Sequence, residues 1–182
     1  MKSFTLIEVL ITITVFALVG AGIYSSHILS QKAYKEGEVS AEITQNGRVI
    51  MERMTREIRQ AKELVGDFPE EEADAVSEIA FEDGHISQPY HYIHYFLSGS
   101  TVQREVLGYY FSGDVGQTLV PWNSVPPLGQ SLLSKNLEEA RVIGEWVKEL
   151  KIWGARLITI NLSLEKKQKA FFLETKILSR NF

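Results

Sequence analysis

The chain has 182 residues, a formal charge of −4 from 23 acidic and 19 basic side chains, and no cysteine. The lack of cysteine excludes disulfides, thiolate metal sites and thiol nucleophiles, and the negative charge argues against nucleic-acid binding, which needs clustered Lys and Arg. With 45% apolar residues, the length suffices for a membrane segment and one domain of about 100–150 residues.

The chain begins with a segment that is long and apolar enough to cross a membrane. From Phe4 to Tyr24, twenty-one residues carry one ionisable side chain, Glu8. As a helix this segment spans about 31 Å, the thickness of a hydrocarbon core. Lys2 favours an amino terminus in the cytoplasm and the remaining chain outside it. A cleaved signal peptide and a plain anchor are both possible, but the run is long for the first and neither explains Glu8.

The first residues resemble a known processing signature. Lys-Ser-Phe-Thr-Leu-Ile-Glu (Lys2–Glu8), followed by an apolar run, is similar to the prepilin signature of type IV pilins and of the pseudopilins of type II secretion. In that family a prepilin peptidase cleaves before the Phe and methylates the new amino terminus. The resemblance implies cleavage between Ser3 and Phe4 and N-methylation of Phe4. Ser3 stands where the family usually has Gly.

The resemblance also implies a location and partners. The protein would lie in the bacterial inner membrane as a single-pass protein with a cytoplasmic amino terminus, and then in a pilus or pseudopilus. Its partners would be other pilins or pseudopilins in a filament or tip complex, the prepilin peptidase, the inner-membrane assembly platform and membrane lipid. Thr5 and Glu8 would be assembly residues, with Glu8 pairing with the Phe4 amine of a neighbouring subunit because buried charges need partners. The alternative is a protonated Glu8 near the membrane surface.

Beyond Tyr24 the pattern predicts that the same helix continues. Apolar residues recur at steps of three and four at Val39, Ile43, Ile50, Met51, Met54, Ile58, Ala61 and Val65. The opposite, charged face is predicted to be solvated, with four oppositely charged pairs four residues apart, and it carries Glu42, Arg48, Glu52, Arg53, Arg56, Glu57, Arg59 and Glu63. Because no proline precedes Pro69, we expect one helix from Phe4 to about Leu64, with Gly66 as its C-cap.

Three β-hairpins are predicted after an acidic loop at Glu70–Glu78. The first turns at Asp83-Gly84, a favoured two-residue turn, and the second turns around Ser98-Gly99-Ser100. The third contains one apolar face made by Ile158, Ile160, Leu162 and Leu164. The stretch 108–135 is predicted to be mostly loop, and the stretches 137–143 and 146–152 are either further strands or a short helix.

Together these elements predict an α+β, pilin-like protein with one long N-terminal helix packed against a C-terminal antiparallel β-sheet domain. The stripe from Ile50 to Ile58 is the expected partner of the sheet. The predicted divisions are a leader at 1–3, a transmembrane or filament-core helix at 4–24, its amphipathic continuation at 25–65 and an extracytoplasmic β-rich domain at 66–182. The stretches QNGRVIMERMTREIRQA, YFLSGSTVQREVLG and FFLETKILSRNF resemble J-type minor pseudopilins and related minor pilins.

No catalytic, cofactor-binding or metal site is predicted. The sequence has no H-E-x-x-H, G-x-S-x-G or phosphate-binding glycine loop, and His91 and His94 should face opposite sides of a strand. The acidic loop lacks the spacing of a calcium loop. Three tryptophans are assigned to core or interface packing rather than to a sugar-binding platform, namely Trp122, Trp146 and Trp153.

Two functions from different classes therefore follow from the sequence. The first is a non-enzymatic structural subunit, a minor pilin or pseudopilin of a type IV pilus or a type II secretion pseudopilus. The second is a monomeric, N-terminally anchored extracytoplasmic binding domain. The pattern does not distinguish between the two kinds of filament.

Overall fold

The computed structural model describes residues 5–84, 90–154 and 156–178. Within these residues, one helix, α1 (Leu6–Gln60), precedes a short 3₁₀ helix (Glu72–Asp74) and seven strands. The strands are β1 (Glu78–Glu82), β2 (Tyr92–Ser98), β3 (Thr101–Phe111), β4 (Leu132–Gly144), β5 (Val147–Trp153), β6 (Leu157–Lys166) and β7 (Lys169–Leu178). The chain divides between Ala41 and Glu42 into two compact units. The predicted α+β architecture, a long N-terminal helix packed against antiparallel strands, is confirmed.

The antiparallel strands are divided between two sheets. Sheet A has the order β1-β2-β3-β4, and sheet B has the order β5-β6-β7. The chain leaves sheet A after Gly144 and enters sheet B at Val147, and Trp146 between them has a φ of 60°. The two stretches that the sequence left undecided are therefore strands, β4 and β5, and the loop between β3 and β4 is residues 112–131.

Two of the predicted hairpins are confirmed. Ser98 pairs with Thr101 across a two-residue turn. In the other hairpin Lys166 pairs with Lys169, and both turn residues, Lys167 and Gln168, have positive φ values of 47° and 66°, as a type I′ turn requires. The four residues predicted to face the core from β6 are all 0% exposed, namely Ile158, Ile160, Leu162 and Leu164.

The predicted turn at Asp83-Gly84 is wrong. β1 pairs with β2, with Glu82 opposite Tyr92, so the chain does not turn back at these two residues; the predicted return strand at 85–87 lies outside the described residues. Gly84 instead packs against the end of α1. A β-carbon at Gly84 would lie 1.9 Å from the carbonyl oxygen of Gln60, so this position requires glycine for close approach rather than for a turn.

The predicted helix end near Leu64, with Gly66 as its cap, is also wrong. α1 ends at Gln60 because the backbone that follows bonds to β1 instead of to the preceding helical turn. Lys62 N–H donates to Glu82 C=O at 3.1 Å, and Val65 N–H donates to Ala80 C=O at 2.9 Å. Buried backbone groups need partners, and β1 supplies them here.

The apolar stripe of α1 forms the shared core of the domain, as predicted. Ile50, Met54 and Ile58 are each 0% exposed. On the side of sheet B, Gly47 leaves room for the side chain of Leu173, which a β-carbon at Gly47 would approach to 2.8 Å. The stripe therefore supplies the apolar partner that a sheet face requires.

The charged face of α1 is not uniformly solvated, because Glu57 is 9% exposed. Its Oε2 accepts hydrogen bonds from the Tyr95 hydroxyl at 2.7 Å and from Arg104 Nε at 2.9 Å. Burial and the Glu57 charge raise the pKa of Tyr95 above its ordinary value. Burial alone lowers the pKa of Arg104, but its hydrogen bond to Glu57 and the charge of that group raise it overall. This buried cluster ties α1 to β2 and β3.

Of the four charge pairs predicted along this face, one forms among the described residues. Arg53 Nε lies 3.4 Å from Glu57 Oε1, while Arg48, Glu52 and Arg56 form no ion pair within the part of the chain that the structure describes. The spacing of charges on a helix therefore identifies candidate pairs, and tertiary packing selects among them.

Replacing Glu57 with Ala should strongly destabilise the domain. The change leaves the guanidinium of Arg104, whose side chain is 12% exposed, without its closest carboxylate, and breaking a buried pair costs about 3–5 kcal/mol. Chemical denaturation of the full chain in a non-denaturing detergent measures the loss. Glu52→Ala, at an exposed position on the same helix, is the control and should change stability by less than about 0.5 kcal/mol. Equal effects of the two changes would contradict the role of Glu57.

Gly84→Ala should destabilise the same domain, because the new methyl group meets the Gln60 carbonyl oxygen. Forcing extra atoms into a packed site costs about 1–3 kcal/mol, and the same denaturation measurement detects it. Gly37→Ala is the control, since a β-carbon at Gly37 has no neighbour within 4 Å. A Gly84→Ala protein that unfolds like the unmodified chain would show that the close approach at Gln60 is unimportant.

Candidate functional site

The first part of α1 exposes its apolar side chains. Every described residue from Thr5 to Glu38 is exposed, including Leu6 at 89% and Phe16 at 79%. α1 is long and apolar enough to cross a membrane by length and composition. Apolar surface on this scale marks a site of contact with lipid or protein, so this segment needs such surroundings.

The helix begins with a pair of reciprocal hydrogen bonds between Thr5 and Glu8. Glu8 Oε2 accepts from the backbone N–H of Thr5 at 2.9 Å and from its hydroxyl at 3.0 Å. In the other direction, the N–H of Glu8 donates to Thr5 Oγ1 at 3.4 Å. This arrangement is a capping box, which satisfies backbone donors that a helix start otherwise leaves unpaired.

The next polar side chains of the segment are satisfied within the helix as well. The hydroxyl of Thr12 donates to the carbonyl oxygen of Glu8 at 2.7 Å, and that of Thr14 donates to Leu10 at 2.8 Å. Such bonds to the residue four positions earlier are a usual solution for threonine in a helix. They keep the hydroxyl groups paired in surroundings without water.

The Glu8 carboxylate nevertheless retains unused acceptor capacity. Both donors of Thr5 reach Oε2, and no described residue donates to Oε1. A carboxylate has about four acceptor positions, so one of its oxygens is available to a donor from another molecule. The predicted cleavage and methylation positions, Ser3 and Phe4, lie outside the described residues.

The sequence carried a signal for this cap that the prediction did not use. Thr-x-x-Glu before an apolar run is the pattern of a capping box, and Thr5 to Glu8 fits it. From the apolar run alone, Glu8 was expected to lack a partner in its own chain. In the structure, the partner of Glu8 within its own chain is Thr5, three residues earlier.

A second polar cluster surrounds His94 on sheet A. Its Nδ1 lies 2.8 Å from Glu105 Oε1 and its Nε2 lies 3.2 Å from Glu78 Oε2. The carboxylates come from the two neighbouring strands, so the sequence alone did not bring them together. Both ring nitrogens are thus occupied by carboxylates, and among residues 5–84, 90–154 and 156–178 no group of three His, Cys, Asp or Glu side chains is arranged to hold a metal ion.

Two tryptophans make separate packing contacts. Trp122 Nε1 donates to Glu63 Oε1 at 2.9 Å, which fixes the β3–β4 loop to the segment after α1. The ring of Trp146 lies under the ammonium group of Lys166, 3.5 Å from the ring centroid. Each of these two rings is therefore held by a contact within its own chain.

Comparison with known proteins identifies the amino-terminal segment. Residues 1–24 match a family model described as the prokaryotic N-terminal methylation motif. Comparisons with curated proteins and with solved structures found no match. The matched residues include Thr5 and Glu8 and the first turns of the exposed apolar helix, and the helix leads into an antiparallel β domain. These features agree with the resemblance of the amino-terminal segment to the prepilin signature of type IV pilins and pseudopilins.

Proposed function

We propose that the protein is a minor pilin or pseudopilin, a non-catalytic structural subunit of a type IV pilus or a type II secretion pseudopilus. The observation that carries this proposal is the exposed apolar half of α1, headed by the capping box of Thr5 and Glu8. Such a helix is suited to lipid before assembly and to neighbouring helices afterwards. The β domain then forms the outer surface of the filament.

The proposed maturation leaves the capping box intact. A prepilin peptidase cleaves between Ser3 and Phe4 and methylates the new amino group of Phe4. The amide of Thr5 belongs to the peptide bond after Phe4, so cleavage does not remove it. Precursor and mature subunit can therefore use the same hydrogen bonds to Glu8, and the new positive charge lies one residue before the cap.

The two oxygens of Glu8 suggest a division of roles in the filament. Oε2 caps the helix of its own chain, and Oε1 accepts the Phe4 amine of a neighbouring subunit. A buried carboxylate is costly unless it is paired, so the amine compensates the charge after the helix enters the apolar filament core. Before assembly, the bonds from Thr5 reduce the cost of holding the acid at the edge of the membrane.

The subunit is proposed to wait in the bacterial inner membrane, with its amino terminus in the cytoplasm and the β domain outside. There it meets the prepilin peptidase and the assembly platform, and then other pilins or pseudopilins. A minor position, of the J type or a related type, is supported by the three stretches of the domain that resemble that group. The domain also has no cysteine, so its fold depends on its core alone.

The maturation step predicts a defined amino terminus. Full-length protein co-expressed with a prepilin peptidase should yield a mature chain that begins at methylated Phe4, as measured by intact-mass and peptide mass spectrometry. Expression without the peptidase is the control and should yield the precursor. A mature chain that begins at Met1 or after Ala21 in the presence of the peptidase would contradict the pilin proposal and favour an anchored, monomeric domain or a cleaved signal peptide.

The assembly role of Glu8 can be separated from its capping role by two matched variants. Glu8→Gln keeps an oxygen that can cap Thr5 but loses the charge, whereas Thr5→Ala loses the side-chain bonds but keeps the charge. We expect cleavage before Phe4 in both. Incorporation into filaments, measured by immunoblotting of sheared filaments against total protein, should fall roughly tenfold or more for Glu8→Gln because the neighbouring amine loses its counter-charge. Thr5→Ala should change it less. Unchanged incorporation of Glu8→Gln at equal protein level would refute the pairing.

A further inference from the structure

A surface groove of about 460 Å³ lies between the last turns of α1 and the edge strand β7. Both elements belong to the unit that begins at Glu42. The groove is lined by Met51, Glu52, Thr55, Arg56, Arg59, Gln60 and Thr175. Its walls thus combine a charged helix face with the side of a strand.

Three polar side chains of the groove have charged or buried groups without a partner among the described residues. Arg56 and Arg59 are exposed and form no ion pair with any described residue. The side-chain oxygen of Gln60 is buried and has no hydrogen-bond donor among the described residues, although buried acceptors are ordinarily bonded. The groove therefore fits an occupant that brings carboxylates for the arginines and an N–H group for Gln60.

The strand that borders the groove has an open edge. β7 is the last strand in the order β5-β6-β7 and pairs with β6 along its full length. Within the part of the chain that the structure describes, no strand pairs with its other side. Such an edge presents unpaired backbone groups that readily accept a segment of another chain.

The chain itself carries a surface of the complementary charge. This surface consists of four acidic residues that are exposed and form no ion pair with any described residue, namely Glu70, Glu71, Glu72 and Asp74. We call these residues the acidic segment. Its position is fixed on β5, because Gly154 N–H donates to Pro69 C=O at 2.8 Å and Val76 bridges to Ile152.

The acidic segment and the groove therefore lie at opposite edges of the same sheet. β5 and β7 are separated by β6, which at ordinary strand spacing places them about 10 Å apart. Neither the two arginines of the groove nor the acidic segment forms an ion pair within the part of the chain that the structure describes. Two copies arranged one after the other bring the acidic segment of one against the groove of the next.

We propose that the groove binds the acidic segment of a second copy of this chain, with the carboxylates of Glu70–Glu72 paired with Arg56 and Arg59. Arginine–carboxylate pairs are among the stronger hydrogen-bonded ion pairs. The contact uses different surfaces on its two partners, so a bound pair still presents one free groove and one free acidic segment. The inference rests on the proposed filament function and names one of its subunit contacts.

Cysteine cross-linking tests this contact directly, because the natural chain has no cysteine. Full-length Thr55→Cys and Glu71→Cys proteins, each with a different tag, are co-expressed with the prepilin peptidase and oxidised in membranes. We expect a disulfide-linked dimer that carries both tags on a non-reducing gel. The matched control pairs Thr55→Cys with Glu139→Cys, an exposed acid on β4, and should give no dimer. A dimer yield no higher than that of the control overturns the proposal.

Charge exchange supplies a second, independent readout on the same cross-link. Arg56→Glu with Arg59→Glu should reduce the dimer yield at least about fivefold, as should Glu70→Lys with Glu72→Lys, because each change places like charges together. Combining one reversed groove with one reversed acidic segment should restore the yield. Arg48→Glu, on α1 outside the groove, is the control and should have no effect. Failure of the combined reversals to restore the dimer overturns the proposal.

Rejection of the groove contact can be distinguished from failure of the proposed filament function. If Phe4 is methylated and the protein enters filaments while no same-chain dimer forms, the filament role stands and the groove proposal is rejected. A cross-link from Thr55→Cys to a different subunit, in place of a second copy, rejects it as well. If Phe4 is not processed, the proposed function itself fails.

Discussion

The apolar stripe of α1 between Ile43 and Ile58 is the contact on which both sheets depend. A sheet of three or four strands is stable in water only when an apolar face is covered. Here the core side chains of β6 and the buried strands of sheet A meet the same stripe, in which Ile50, Met54 and Ile58 are fully buried. Without cysteine, no covalent bond substitutes for this contact. The position of the strands follows from the helix that they cover.

The same helix meets a different requirement at its amino-terminal end, where its apolar side chains are exposed. In surroundings without water, polar groups must be satisfied within the segment or by a neighbouring chain. Thr12 and Thr14 bond to backbone carbonyls of the preceding turn, and Thr5 bonds to Glu8. The remaining capacity of the Glu8 carboxylate supports the proposed subunit contact. One continuous helix thus combines a self-sufficient apolar segment with a stripe that organises the β domain.

Features set by residues close in sequence were predictable, and features set by distant residues were not. Periodicity identified the stripe from Ile50 to Ile58, and alternation identified the buried face of β6. The burial of Glu57 was missed because its partners lie 38 and 47 residues away. Asp83-Gly84 has the sequence of a hairpin turn, but the role of Gly84 is set by its close approach to the carbonyl oxygen of Gln60. At Glu8 the local signal of a capping box was present in the sequence, but the cost of an acid in an apolar run pointed to a partner from another chain.

The buried cluster around Glu57 also determines where the helix can sit along its own axis. A slide of one turn, about 5.4 Å, would bring to the place of Glu57 either Arg53 or, in the opposite direction, Ala61, the residue that follows the end of α1. Arg53 there would face the guanidinium of Arg104, and Ala61 would leave the Tyr95 hydroxyl without its acceptor and Arg104 without its closest carboxylate. Apolar stripes alone tolerate such slides, since one aliphatic side chain replaces another. The single buried acid Glu57 therefore fixes the register of α1 against the strands, in a contact that is otherwise apolar.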